Sequence, residues 1–263
     1  MESPMPYIAA SFLFLLAGCS RPEPADAPAV LVQQTSQGID SPAKLVASMT
    51  TYHVGIVWKG PNWSEGAQAK IAEKIQSTSD IWKTAIVEGK LVGAVRIEEP
   101  VDLWGLLFFK TDSMKEMQSI ADNALSVKEG LLKSEVVKVW GPRGLGKGLA
   151  EALMENAAAE MKSETFYMVV YRKGENWSEK SDDPSTREAT AEGMQYLFDL
   201  YKSGTLRYYA AVEDMTRPAR GIAIINAASR EEAMGLAAKG PMVEKKWLTA
   251  EVVPVFIVGG TLP

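Results

Sequence analysis

The chain is poor in two residue types that often carry enzyme chemistry: its 263 residues include one histidine, His53, and one cysteine, Cys19. A single cysteine cannot form an internal disulfide, and a zinc site built from cysteine and histidine lacks ligands. Any Ser-His-Asp or Cys-His catalytic arrangement would have to use His53. The net charge is −5 and no basic stripe is visible. A nucleic-acid partner is therefore not expected.

The N-terminal segment contains an apolar run, YIAASFLFLLA at 7–17, that has the length of a signal-peptide core and is short for a membrane span. The run ends in Leu16-Ala17-Gly18-Cys19, which resembles the lipobox of bacterial lipoproteins, although the preceding MESPMP has no lysine or arginine. The resemblance implies a signal peptide over 1–19 and a lipid on Cys19. A cleaved secretory peptide with a chance cysteine and an uncleaved anchor are the alternatives.

The segment after Cys19 is rich in Pro, Ala, Gln and Ser and shows no period, which predicts a flexible tether over 20–49. Ser20 resembles the signal for outer-membrane sorting in Gram-negative bacteria. The expected partner is therefore a membrane, reached through lipidated Cys19. The expected location is the bacterial cell envelope, at the outer membrane and facing the periplasm.

One seven-residue string occurs twice, as KGPNWSE at 59–65 and KGENWSE at 173–179. Each copy follows a segment typical of a β-strand and precedes a helical stretch that ends in glycine, at Gly89 or Gly204. A strand, a helix opened by S-x-x-E and a closing strand then match in both copies. Each copy therefore reads β-α-β-β-α-β. The predicted units are a first repeat at 50–142, a connector with a helix at 143–164, and a second repeat at 165–260.

This order of elements is that of a ferredoxin-like unit, a four-stranded antiparallel sheet with two helices on one face. The other sheet face is apolar and needs a cover. We therefore expect an α+β fold in which two ferredoxin-like β-α-β-β-α-β repeats pack sheet to sheet as a pseudo-symmetric dimeric α+β barrel. Such a barrel needs no second chain, so a self-sufficient monomer is expected.

The identity and spacing of certain residues in the second copy are similar to those of a known domain family. These residues are Tyr196, Leu197, Leu200, Gly204, Leu206, Ala210, Ala211, Ser229, Glu231, Glu232, Ala233, Gly240, Pro241, Pro254, Val255 and Phe256. Together with fewer matches in the first copy, this pattern resembles the YCII-related (YciI-like) domain family of dimeric α+β barrels, over about 50–142 and 165–260. In that family a helical His and an Asp after the second strand are regarded as an acid–base dyad. The His position corresponds here to Thr78 and Gly193, which cannot accept a proton near neutral pH. The dyad of the family is therefore missing here, so its acid–base chemistry is not assumed, and a non-catalytic protein is favoured over an enzyme.

Weaker catalytic candidates nevertheless stay open. Glu213 or Asp214 in the second copy, and Glu98 or Glu99 in the first, could stand in for the family Asp, and a lone carboxylate can act as a general base. With His53 they would suit an isomerase or lyase of small molecules. The alternatives are solvated turn residues and a hydrogen-bonded structural histidine.

The repeated loops offer ligand-binding candidates: amides on Asn62 and Asn176, and flat apolar walls on Trp63 and Trp177. A small molecule could bind beside them, in the cleft between sheet and helices. The alternatives are packed β-α turns, and an interaction module of an envelope complex that exposes an apolar patch.

A glycine-rich segment at 141–148, GPRGLGKG, fits the phosphate-loop spacing but has glycine where magnesium needs a serine or threonine hydroxyl. It also falls between the two repeats, whose element order does not give a parallel sheet. We therefore expect no nucleotide, no other cofactor and no metal.

Overall fold

The computed structural model describes residues 38–97, 102–111, 113–124, 127–157, 162–178 and 184–263. Eight strands form one closed antiparallel barrel with helices on its outer side. In chain order the elements are α1 (Pro42–Ala47), β1 (Met49–Lys59), α2 (Ala67–Ser77), α3 (Ser79–Val87), β2 (Leu91–Ile97), β3 (Leu103–Phe109), α4 (Met114–Ala124), β4 (Leu132–Pro142), α5 (Lys147–Glu155), β5 (Ser163–Lys173), α6 (Pro184–Lys202), β6 (Leu206–Val212), β7 (Ala219–Ile225), α7 (Arg230–Ala238), α8 (Pro241–Glu244) and β8 (Leu248–Val258).

The strand order around the barrel is β1-β3-β2-β8-β5-β7-β6-β4, so the predicted α+β fold with an antiparallel barrel is confirmed. Strands β1 to β4 are neighbours in the order β4-β1-β3-β2, and β5 to β8 repeat that order as β8-β5-β7-β6. The two sets meet edge to edge. Strand β2 pairs with β8 over Val95–Ile97, and β4 pairs with β6 at Val139 and Trp140. Closure pairs the edge strands that two separate sheets would leave open.

Alternation along each strand divides the apolar residues between the barrel interior and the helices outside. On β1, Tyr52 and Val54 belong to the interior cluster, whereas Val57 packs with the outer helices. The interior cluster draws on strands of both sets, for example Phe108 and Tyr208, whose rings meet edge to face at 5.6 Å between centroids. The interior is therefore a packed core.

Several predicted helix ends are confirmed. Gly89 and Gly204 have φ of 69° and 76°, the left-handed conformation that glycine adopts at little cost. Ser229 caps α7 by accepting a hydrogen bond from the Glu232 amide at 3.2 Å. The first helical stretch, expected to be continuous, is instead interrupted at Thr78, whose hydroxyl donates to the Lys74 carbonyl at 2.8 Å. This side-chain bond competes with the helical backbone pattern.

The end of the predicted tether needs a correction. Residues 42–47 form α1, which Ser41 caps and in which Leu45 is buried against Met49 and Phe198. Apolar packing against Phe198 of α6 therefore orders a segment whose composition alone suggested flexibility. Cys19, the signal peptide and the earlier tether lie outside the described residues. In the part of the chain that the structure describes, no helix has the length and apolarity needed to cross a bilayer.

Candidate functional site

A pocket of about 250 Å³ lies where β1 and β6 begin and β4 ends. The repeated Asn-Trp-Ser loops follow the other ends of β1 and β5, so this pocket is separate from the predicted cleft. Its walls are predominantly apolar, with two arginines and several tyrosines among them. The lining residues are Ile39, Leu45, Ser48, Met49, Pro142, Arg143, Tyr201, Leu206, Arg207, Tyr208, Tyr209 and Pro263.

Tyr208 forms the most buried aromatic wall of the pocket. Its side chain is 1% exposed, and its hydroxyl has no hydrogen-bond partner among the described residues. The hydroxyl occupies space next to Gly141, where a β-carbon would come within 2.5 Å of it. Burial raises the pKa of Tyr208 well above its usual value, and the nearby Tyr52 phenol adds to the effect. Tyr208 is therefore a neutral phenol with an unused donor.

Tyr52 lies close to Tyr208 but is differently engaged, since its hydroxyl donates to the Pro142 carbonyl at 2.9 Å. Burial raises the pKa of Tyr52, whereas a backbone hydrogen bond from Leu145 and the charge of Arg143 oppose the shift. The Arg143 guanidinium is thus near enough to act electrostatically on the Tyr52 phenol.

Arg143 and Arg207 give the pocket its positive charge. Arg207 is half-buried, and its guanidinium carbon lies 6.0 Å from the ring centroid of Phe166, a residue of the barrel interior. Neither arginine forms a salt bridge within the described ranges, whereas Arg172 and Arg217 do. No histidine, aspartate, glutamate or cysteine side chain is among the described lining residues. The arrangement can hold an acceptor-bearing ligand, but it presents no acid–base pair.

The catalytic candidate His53 lies on the outer face of β1, opposite Lys138 and Phe109, and is 4% exposed. Glu213, which follows β6, lies next to the same residue of β4, because its backbone amide donates to the Lys138 carbonyl at 3.0 Å. Its carboxylate, however, is exposed and accepts from the Thr51 hydroxyl at 2.9 Å. No hydrogen bond joins His53 to Glu213 in the described structure.

Asp214 is held within its own turn. It accepts from the Thr216 amide at 3.0 Å and from the Thr216 hydroxyl at 2.6 Å, and Arg217 lies 3.4 Å away. The Thr216 hydrogen bonds lower the pKa of Asp214, and Arg217 contributes further. A carboxylate with a lowered pKa is a weak general base near neutral pH. The other two candidates, Glu98 and Glu99, lie outside the described residues.

The asparagines of the repeated motif have the same backbone contacts in both copies. The Asn62 amide nitrogen donates to the Glu129 carbonyl, and that of Asn176 donates to the Lys245 carbonyl, both at 2.9 Å. Each bond ties the loop after β1 or β5 to the residues just before β4 or β8. These contacts give the repeated asparagine a structural role. Ligand binding at these loops stays a prediction, although Asn62 borders an open groove.

The two motif tryptophans lie beneath cations. Lys59 stands 5.3 Å from the Trp63 ring centroid, and Lys173 stands 6.0 Å from that of Trp177. Trp177 also meets Arg220 at 5.3 Å. Such contacts stabilise a site by about 0.5–1 kcal/mol where it is exposed, and by more where it is desolvated. They support packing of the turn.

The two positions that correspond to the family histidine have different surroundings. Thr78 ends α2, and its hydroxyl is bonded to the backbone. At Gly193 a β-carbon would meet Met242 Cγ at 2.9 Å, so Met242 fills the space. No cluster of three or more histidine, cysteine or acidic residues that could hold a metal is found among the described residues.

Backbone amides of the phosphate-loop-like segment and of the following helix are hydrogen-bonded to carbonyls of the residues that follow β8. The amides of Gly146 and Leu149 donate to the carbonyls of Thr261 and Gly260, at 2.7 and 2.9 Å. These are the amides that would otherwise receive an anion at the start of α5.

Sequence reasoning missed the pocket at the beginning of β6. Arg207 and Tyr208 carry no motif, and their side chains point toward the pocket through a register shift between Leu206 and Tyr208. The available signal was the adjacent pair of arginine and tyrosine at the start of an apolar strand. Strict alternation would place one of the two side chains on each face of the sheet, whereas a register shift changes that pattern.

Comparison with known proteins places the fold. No protein-family model matches the chain, and no curated protein matches its sequence. A chlorite dismutase variant from Candidatus Nitrospira defluvii, determined in complex with cyanide, superposes with a TM-score of 0.51 at 9% identity, covering 83% of this chain and 95% of that one. A second chlorite dismutase variant from that organism gives 0.50 at 12% identity, with 82% and 95% covered. Both of these structural neighbours are chlorite dismutases, and at this identity the likeness of this chain to them concerns the fold alone.

Proposed function

We propose that this chain is a lipid-anchored protein of the bacterial cell envelope that binds a small molecule and is not an enzyme. Two fused YCII-like repeats form its barrel, and the binding site is the pocket at the start of β6. The observation that carries the proposal is the pocket itself: about 250 Å³ of predominantly apolar wall, with two arginines that lack a described carboxylate partner. Ligand sites typically combine apolar walls with a few polar groups.

The non-catalytic part of the proposal is supported by the surroundings of each candidate. The Asp214 carboxylate is tied into its own turn, and the Glu213 carboxylate is bonded to Thr51. Met242 fills the space at Gly193. A general base must reach a substrate proton in a pocket, and these groups do not line the pocket described above.

The repeated strand order supports the fused-repeat part of the proposal. Each set of four strands has the ferredoxin-like order, and the two seams pair corresponding strands, β2 with β8 and β6 with β4. Two copies related by a twofold axis would form the same seams.

The pocket can be tested with a neutral apolar probe, 2-naphthalenemethanol, and the full-length protein labelled with [13C-methyl]methionine. Met49 lines the pocket, whereas the exposed Met234 on α7 does not. We expect a saturable shift of the Met49 signal, assigned through Met49→Leu, while the Met234 signal stays unchanged. If Met49 shows no saturable shift with this alcohol or with the acid of the same shape, 2-naphthoate, the binding proposal fails.

The anchor is tested separately by incorporation of labelled palmitate in a bacterial host. We expect label in the wild-type chain and none in Cys19→Ala. Equal labelling of both proteins would rule out lipidation at Cys19.

A further inference from the structure

The pocket has an electrostatic asymmetry that indicates which ligands it prefers. Arg143 and Arg207 approach it from β4 and β6, the two strands of one seam. In the described structure neither guanidinium has a carboxylate within salt-bridge distance. Guanidinium groups bind carboxylates with two parallel hydrogen bonds, which makes arginine the preferred residue for planar anions.

The remaining walls select the rest of the ligand. Leu45, Met49 and Leu206 are buried or nearly buried apolar residues, and Tyr208 adds an aromatic ring. The volume of about 250 Å³ lies below the roughly 300–1,000 Å³ of sites for drug-sized ligands. A ligand that fits is therefore small, with one charged end and a compact apolar body.

The corresponding place in the first repeat is filled by the protein itself. Val92 takes the position of Arg207 within the equivalent register shift in β2, and Leu145 of the connector packs in the same cluster. The Val92 carbonyl lies so close to Gly146 that a β-carbon there would come within 2.1 Å of it. The first repeat thus closes this end with apolar packing, and the second repeat leaves it open with a cation at its edge.

From these observations we infer that the pocket recognises a small organic acid, a carboxylate on a compact apolar body, and that Arg143 and Arg207 bind its carboxylate. The inference rests on the proposed binding function and names the ligand class of the same site. Tyr208 contributes to this wall, while its hydroxyl is enclosed by the protein and has no partner among the described residues.

The test compares two probes of the same shape, 2-naphthoate and neutral 2-naphthalenemethanol, by the shift of the Met49 methyl signal in the full-length protein. We expect 2-naphthoate to bind roughly tenfold more tightly, because hydrogen bonds to charged groups are the stronger ones. Added sodium chloride should weaken binding of the acid, because both arginines are accessible to solvent and their charges are screened by salt. The affinity for the alcohol should stay unchanged.

Three variants complete the experiment. Arg143→Gln and Arg207→Gln should each bring 2-naphthoate toward the affinity of the alcohol, while the alcohol itself still binds and so reports a folded pocket. Arg172→Gln, on β5 and outside the pocket lining, is the matched control and should leave both affinities unchanged.

The outcomes separate the two proposals. If acid and alcohol bind equally, and the pocket variants change neither, the acid inference is overturned and the binding proposal stands. If neither probe binds, both proposals fall. Preference for the acid that survives both pocket substitutions would also overturn the assignment to Arg143 and Arg207.

Discussion

The Gly141 backbone and the Tyr208 hydroxyl are in such close contact that a β-carbon on Gly141 would lie 2.5 Å from the oxygen and 3.0 Å from Cζ. The two residues come from β4 and β6, which pair at only two positions, Val139 with Val212 and Trp140 with Ala211. Close backbone approach by Gly141 therefore allows a tyrosine to stand at this short seam, directly beneath the pocket.

Gly141→Ala should lower the free energy of unfolding by about 1–3 kcal/mol, the range for overpacking a buried site. The Tyr208 ring cannot move freely, because it packs edge-on against Phe108 at 5.6 Å. Urea unfolding of the variant and of the wild type measures the difference.

A double-mutant cycle identifies the cause. Tyr208→Phe removes the hydroxyl that has no described partner, so alone it should be nearly neutral or stabilising. When Gly141→Ala is combined with Tyr208→Phe, the alanine should cost less than it does in the wild type. Gly235→Ala, where a β-carbon meets nothing within 4 Å, is the control and should not destabilise. Equal costs of the alanine with and without the hydroxyl would show that the hydroxyl is not the obstacle.

The elements could be predicted from sequence because their signals are local. The S-x-x-E pattern at Ser229 predicted the start of α7, and Gly204 predicted the end of α6, since capping and left-handed backbone depend on a few adjacent residues. Internal repetition then predicted that the two halves share an element order.

The edge pairing and the pocket could not be predicted in the same way. Alternation shows which face of β4 is apolar, but Val139 and Val212 carry no signal that their strands pair. Likewise, Arg207 contacts the Phe166 ring only because a register shift and the closure of the barrel bring two distant strands together. Such contacts are properties of the assembled barrel.

Asn62→Ala and Asn176→Ala should each lower the free energy of unfolding by about 1 kcal/mol, the typical net value of one hydrogen bond. Each removes a bond of 2.9 Å between a side-chain amide and a backbone carbonyl. The two losses should add in the double variant, because the loops share no partner. Thermal or urea unfolding measures them, with Ser64→Ala in the same loop as control. If either alanine variant unfolds at the same urea concentration as the wild type, the structural role of that asparagine fails.

The pH dependence of stability should contain a contribution from Glu116. Hydrogen bonds from Lys90 and Thr111 lower the pKa of Glu116 in the folded chain, and Lys90 links the start of β2 to α4. Because the pKa of Glu116 is lower in the folded chain than its value near 4.5 in the unfolded chain, ionised Glu116 stabilises the fold at pH values above 4.5. This contribution disappears as the pH falls through the folded pKa. The wild type should therefore lose its advantage over Glu116→Gln in unfolding experiments run from pH 6 to pH 3. Asp80→Asn on α3 is the control. A difference that stays constant over this pH range would exclude the linkage.

Lys246 is, among the described residues, the one non-glycine with positive φ, at 58°, and its counterpart in the first repeat is Gly130, with φ of 70°. Both carbonyls accept from the backbone amide of the motif asparagine, Asn176 or Asn62. A residue with a β-carbon is strained by roughly 1 kcal/mol in this conformation, whereas glycine is not.

Lys246→Gly should therefore raise the free energy of unfolding by up to about 1 kcal/mol, reduced by the greater freedom of glycine in the unfolded chain. The lost ion pair with Glu175 matters little, since both side chains are largely exposed. Lys246→Ala separates the two effects, because it removes the ion pair but keeps the β-carbon, and it should not stabilise. Gly130→Ala should destabilise, since its β-carbon would also lie 2.7 Å from the Asn62 amide nitrogen. If urea unfolding shows Lys246→Gly to be no more stable than Lys246→Ala, the backbone at this position is not strained.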